Sequence, residues 1–260
     1  MNKQFWTFQN KGNKVGELLL YGEISDVSWR GDEVTPLQFK KDLDALGSID
    51  TLNIYVNSPG GDVFASQAMV SMLERHTSKK NVYNDGLMAS AATFFIGVGK
   101  VYMPENAIFM VHCPASIVWG NAKDMRKMAD DLDKVQESML AIYRKKTGMT
   151  NNQIIPLLDA ETWMSAEEAV KYGFCDEVLK TKQIAASISG RILTINGLDV
   201  ELNRFKSDPS PKLKDSSQST VVDVYKLKLK NNERRTRLAG YTQDLQKKLY
   251  DDLKKRADLS

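Results

Sequence analysis

Alternation between two hydrophobic periods, punctuated by glycine, limits the fold of this chain more than any other feature. Leu52, Ile54 and Val56 alternate with polar residues up to Asn57, as in a strand with one face better covered than the other, and Gly60-Gly61 breaks the run. From Asp62, the residues Val63, Ala65, Ala68, Met69, Met72 and Leu73 fall at helical spacing, and Val82 begins another short strand. The same order of strand, small-residue turn, helix and strand runs on through Ser90 and the segment Val98–His112. Strands that alternate with helices need crossover connections, so the expected class is α/β with a largely parallel sheet, and reactive groups gather where strands hand over to helices.

The flanking pattern agrees. Glu17–Gly22 is a short apolar run bounded by glycine, consistent with a buried strand. A helix follows with Thr35 as N-cap, Pro36 at its first position, Gln38 completing a capping box, Phe39, Leu43 and Leu46 as its apolar face, and Gly47 at its end. Between Asn121 and Thr147, the residues Met125, Met128, Leu132, Val135, Met139 and Ile142 step by three or four along one long amphipathic helix closed by Gly148. That stripe fits ordinary core or a partner surface equally well.

With 260 residues, 42% of them hydrophobic, the chain can bury one sizeable core and leave a smaller appendage. No apolar run approaches the roughly 20 residues of a membrane helix, and Met1–Trp6 lacks the apolar stretch of a secretory signal, so the expected location is the cytoplasm. Cys113 and Cys175 form neither a disulfide framework nor a metal-ligand spacing; both are expected to be reduced core thiols, and no metal or cofactor is expected. Charge is uneven. Residues 201–260 carry 15 Lys/Arg against 9 Asp/Glu, so the first 200 residues are net acidic although the whole chain is +3. The Pro- and Ser-rich run 206–220 reads as a linker. The expected organisation is a main domain over 1–185, a connecting segment over 186–205, the linker, and a basic strand/helix tail over 221–260.

Within this frame, Ser90 follows Gly86-Leu87-Met88-Ala89 and precedes Ala91-Ala92, at the first turn of a helix through Phe95. Free N–H groups and the helix dipole favour negative charge there. His112, one of two histidines in the chain, closes the strand-like run that starts at Ala107. Amide hydrolysis by a serine needs a hydroxyl, a base within reach, a group orienting that base and donors for the developing oxyanion. The Ala91 amide is one candidate donor. Gly60-Gly61 offers a second, because glycine can turn an N–H into conformations other residues avoid. Alone, the Pro-Gly-Gly reads as a plain turn and His112 as a core histidine; only their joint occurrence with Ser90 points to a hydrolase. For the orienting acid, Asp159 and Glu161 compete, and Asp124, Asp130 and Asp131 belong to the solvated face of the long helix.

Four blocks, Asn57–Asp62, Gly86–Ala91, Met110–His112 and Ser165–Asp176, occur in the order and at about the spacing found in ClpP-type serine peptidases, and the resemblance spans roughly residues 17 to 180. It implies a ClpP/crotonase-like spiral of ββα units with Asn121–Thr147 as the handle that pairs two rings. It also implies Ser90 as nucleophile, His112 as general base and the Gly61 and Ala91 amides as oxyanion hole. Alignment on Ser165–Ala169 puts Glu161 where housekeeping members carry the triad aspartate, with Asp159 as the alternative third member, and puts Ala160 where those members usually carry an arginine. Glu161-Thr162-Trp163, the loop Trp119-Gly120-Asn121 and the basic tail resemble the ClpP-like head maturation proteases of tailed bacteriophages and prophages.

The implied activity is a serine endopeptidase acting on polypeptides as a homo-oligomeric ring or stacked rings, with a capsid or scaffold protein as partner in a prohead. The alternative is a degradative peptidase fed by a separate AAA+ unfoldase; Met1–Val15 shows no feature expected for docking one, and the chain has no Walker motif of its own. A crotonase-like acyl-CoA enzyme would leave the Ser90–His112 pair without purpose, and an idle shell subunit would not need it. The tail has no nucleic-acid reading motif and fits a scaffold or partner role better.

Overall fold

The expected strands and crossovers are present in the computed structural model, which describes residues 5–25, 36–180, 186–207 and 209. All of these fall within the unit Met1–Asp215. β1 (Trp6–Asn10) pairs antiparallel with β2 (Val15–Tyr21), and β2, β3 (Thr51–Ser58) and β4 (Lys79–Ala89) then run parallel. Leu18, Leu20, Leu52, Ile54, Val56 and Val82 are all buried in the core. β1 lies in a stretch from which the sequence pattern gave no element. Helices α1 (Pro36–Ala45) and α2 (Val63–Arg75) make the crossovers. Asp62 caps α2, its Oδ1 accepting from the Ala65 amide at 2.6 Å. The Thr35 cap and its box with Gln38 lie outside the described residues.

β4 is longer than expected, and its two halves have different neighbours. Asn81–Tyr83 pair with β5 (Lys100–Pro104), whereas Leu87–Ala89 pair with β6 (Ile108–Val111), both in parallel. β6 then takes β7 (Thr162–Met164) antiparallel on its far side, and β5 takes β8 (Glu177–Leu179). This fork fixes three chain positions beside one another: Ala89 pairs with Met110, and Val111 pairs with Thr162. The residues next to these pairs are Ser90, His112 and Glu161.

The long helix, α3 (Ala122–Thr147), starts with a capping box between Asn121 and Asp124 and ends at Gly148 with φ +73°. Its apolar stripe divides. Met139, Leu140 and Tyr143 are buried, whereas Met125 is exposed. Tyr143 ties the helix to the segment carrying Ser90, its hydroxyl lying 2.7 Å from Thr93 Oγ1, which in turn donates to the Ser90 carbonyl at 2.6 Å. Helix α4 (Asn151–Asp159) leads to β7, and α5 (Ala166–Lys171), capped by Ser165, leads to β8. Among the described residues no helix is long and apolar enough to cross a membrane.

Residues 186–205, expected as a mere connection, form a second sheet. β9 (Ala186–Ser189), β10 (Ile192–Ile195) and β11 (Leu198–Glu201) are joined by two-residue turns. Asn196 (φ +46°) and Gly197 (φ +79°) both take left-handed conformations, as a type I′ hairpin requires. Leu193, Ile195 and Val200 bury one face. This sheet is held to the main one through the buried Asn57, whose Nδ2 donates to the Ile195 carbonyl while its Oδ1 accepts from the Leu87 amide, each at 3.1 Å. The 206–220 linker is described only at 206, 207 and 209, and the 221–260 tail lies outside the described residues.

Candidate active site

Ser90 sits at the joint between β4 and the 3₁₀ segment Ser90–Val98, with φ +54°. A non-glycine residue in that left-handed region is strained by about 1–2 kcal/mol. The conformation is held by the Ser90 carbonyl's bond from Thr93 and by Ser66 Oγ, which donates to the Ala91 carbonyl at 2.7 Å. Strain of this kind, over-determined by its surroundings, aims a side chain outward at a strand-to-helix turn. Ser90 Oγ lies 2.7 Å from His112 Nε2.

His112 stands just past β6, and Glu161 just before β7, so the antiparallel register places them across from each other. Glu161 Oε2 is 3.7 Å from His112 Nδ1, an ion-pair distance longer than a hydrogen bond. Burial lowers the His112 pKa below the usual imidazole value, and Arg204 and Lys206 act in the same direction, while Glu161 opposes them. The shift favours the neutral ring, the form in which Nε2 can accept a proton from Ser90.

The two candidate acids separate. Glu161, 5% exposed, turns toward His112 with φ +49°, whereas Asp159, at the end of α4, accepts from Cys113 Sγ at 3.2 Å. Cys113 is half-buried rather than a core thiol; burial together with the Asp159 hydrogen bond raises its pKa to about 11, which leaves it no thiolate for nucleophilic work at neutral pH. Cys175 is buried, as expected.

The loop after β3 approaches Ser90 through backbone alone. A Cβ on Gly60 (φ +89°) would come within 2.6 Å of Ser90 Cβ and 2.8 Å of the Ala91 nitrogen, so only glycine fits. The Gly60 and Asp62 amides are used within the loop, by Ser58 Oγ and the Ile24 carbonyl. The Gly61 amide between them carries no such bond among the described residues. Ala91, the other expected donor, directly follows Ser90 at the start of the 3₁₀ segment. Among the described residues no cluster of His, Cys, Asp and Glu could hold a metal ion.

One group of contacts was not anticipated. Glu161 Oε1 accepts from the Ser207 amide (2.8 Å) and from Ser207 Oγ (3.0 Å), and Oε2 accepts from the Lys206 amide (3.0 Å). Trp163 Nε1 donates to the same Ser207 Oγ at 3.1 Å, and Phe205 packs edge-on against Trp163 and beside the His112 ring. These residues fall at the join of two segments read from sequence as connection and linker. The Asn196-Gly197 hairpin signal, set between short apolar runs, was the available hint that ordered structure continues that far.

Residues 32–182 match the family described as Clp protease. Similar proteins include the ATP-dependent Clp protease proteolytic subunit of Streptococcus gordonii, 31% identical over 173 residues that make up 65% of this chain and 86% of the relative. Subunit 3 of Streptomyces coelicolor is 30% identical over 175 residues, covering 65% and 81%. Subunit 2 of Rhodococcus jostii is 31% identical over 131 residues, covering 49% and 67%. The mixed α/β architecture with its long helix is consistent with the fold that the resemblance implied. On the strength of these matches the chain belongs to the Clp protease family and is a serine-type endopeptidase.

Proposed function

We propose that this chain hydrolyses peptide bonds with Ser90 as nucleophile, His112 as general base and Glu161 as the acid that orients it. The 2.7 Å contact between Ser90 Oγ and His112 Nε2 carries the reading. Ser90 Oγ attacks the scissile carbonyl carbon as Nε2 takes its proton, and the carbonyl oxygen becomes an oxyanion facing the Gly61 and Ala91 amides. The C–N bond then breaks with Nε2–H protonating the departing amine, and water attacks the acyl-serine by the same route in reverse. The 3.7 Å gap between His112 and Glu161 is compatible with this role, because such bonds often tighten only when substrate binds.

The relatives are named as ATP-dependent proteolytic subunits, which favours an oligomeric subunit supplied with unfolded chains by a separate ATP-driven unfoldase. The exposed Ile117, Trp119 and Met125, at and before the start of α3, favour pairing with further copies of the chain. A second reading, processing of scaffold or capsid protein during phage head maturation, is favoured by Glu161-Thr162-Trp163 together with the Trp119-Gly120-Asn121 loop. Labelling the purified chain with a fluorophosphonate and mapping the adduct tests the chemistry; modification at Ser90 supports it, and modification elsewhere, or none in an assembled sample, opposes it. Incubation with an unfoldase plus ATP, against incubation with a prohead protein, separates the two settings.

A further inference from the structure

Resting on the proposed role of Glu161, the geometry points to Ser207 as a positioning residue, the key of a strap that holds the orienting acid from beyond the family-matched segment. The match ends at residue 182, yet the Glu161 carboxylate accepts hydrogen bonds from Lys206 at Oε2 and from Ser207 at Oε1. A carboxylate only 5% exposed must find its donors inside the protein, and His112 at 3.7 Å is too distant to be one. The Lys206 and Ser207 amides and the Ser207 hydroxyl fill that requirement. The hydroxyl is itself fixed, since it accepts from Trp163 Nε1 while donating to Glu161 Oε1.

The strap is held where it is by packing. Leu202 and Phe205 are buried, with Phe205 wedged between Trp163 and the His112 ring. Arg204 pairs with Glu23 at 2.9 Å, and the β9–β11 sheet behind the strap is anchored through Asn57. The Ser207 hydroxyl thus fixes Oε1 so that Oε2 faces Nδ1 of the imidazole. Its loss leaves Oε1 to the Ser207 amide alone, so the carboxylate is held less firmly and the imidazole is oriented less well when Ser90 gives up its proton.

The test compares S207A, S207T, E161Q and the double variant S207A/E161Q in the full chain, with a fluorogenic peptide. S207A is expected to lower kcat about 10-fold, in line with a lost charge-assisted hydrogen bond, with KM unchanged. Its kcat/KM acid limb should move to lower pH, because a misplaced carboxylate supports the imidazolium less. S207T, which keeps the hydroxyl, should recover most of kcat. Adding S207A to E161Q should cost little further, since both act on one contact.

Equal activity of S207A and the native chain, or full additivity with E161Q, overturns the positioning role while leaving the Ser90–His112–Glu161 reading intact. Undiminished activity of E161Q overturns that reading and the strap with it. Thermal melts distinguish a lost contact from a lost fold: a kcat loss in S207A that tracks unfolding at the assay temperature, and that S207T does not relieve, also overturns the proposal.

Discussion

His112 and Glu161 face each other at 3.7 Å because β6 and β7 are antiparallel, with Val111 opposite Thr162 one step before. The pair is embedded enough that burial dominates the imidazole, and its pKa lies below the ordinary 6.5. A general base works in its neutral form, so activity holds above that pKa and falls as pH drops through it. The acid limb of kcat/KM for a peptide substrate should therefore lie below pH 6.5. A limb above that value would mean that Glu161 outweighs desolvation at the imidazole of the free enzyme.

Separate removal of the two carboxylates should give unequal losses. E161Q takes the charge from beside His112 and is expected to lower kcat by roughly 100-fold or more. D159N changes only the acceptor of the Cys113 thiol and should cost less than 3-fold, a surface-scale effect. Steady-state kinetics on both variants decides the order, and a larger loss at Asp159 would reassign the acid.

At Ser90, chemistry and backbone make opposite demands. S90A should abolish turnover and fluorophosphonate labelling, a loss of at least roughly 1,000-fold, with assembly intact. S90G should be equally inactive yet more stable than S90A, by about 1 kcal/mol, because glycine takes φ +54° without the Cβ clash. Chemical denaturation of the two variants measures the difference. Equal midpoints would show that the turn is not strained.

The period-2 run at Leu52–Val56, the helix from Asp62 and the stripe of α3 were legible because each is a local pattern of apolar residues. Ser90 and His112 were legible as types in context, each beside a strand end. The choice between Asp159 and Glu161 was open to the residues alone because it depends on a left-handed turn at Glu161 and on a three-residue strand, β7, too short to announce itself. Only the aligned family pattern favoured Glu161. The contact between Ser207 and Glu161 spans 46 residues and joins two stretches that carry no common pattern. It comes from packing of a second sheet, and sequence periodicity holds no record of it.

The glycine loop should tolerate no side chain. In G60A the new methyl meets Ser90 Cβ and the Ala91 nitrogen, and in G61A (φ +142°) it meets the Ile24 carbonyl, so in both the loop must move away. Loss of one oxyanion donor costs about 100- to 1,000-fold in kcat. Both variants should reach that range with His112 still in place, which can be checked by comparing turnover with the NMR titration of the imidazole. A G61A chain with native turnover would remove this loop from the oxyanion site.

Trp119 is fully exposed, Ile117 nearly so, and Met125 about half so, whereas further along α3 Met139, Leu140 and Tyr143 are buried against the same chain. One stripe on one helix therefore has two fates: its C-terminal part is core, and its N-terminal part, with the Trp loop before it, has no cover within the chain's described residues. Large apolar groups left uncovered are costly in water, and where they gather they mark association surfaces. The proposed oligomer covers them with further copies of the chain. Sedimentation of the native protein should show a high-order assembly, and W119S/M125E should sediment as a smaller species with unchanged circular dichroism. Native protein that stays monomeric across a broad concentration range would return the surface to solvent and remove the ring from the account.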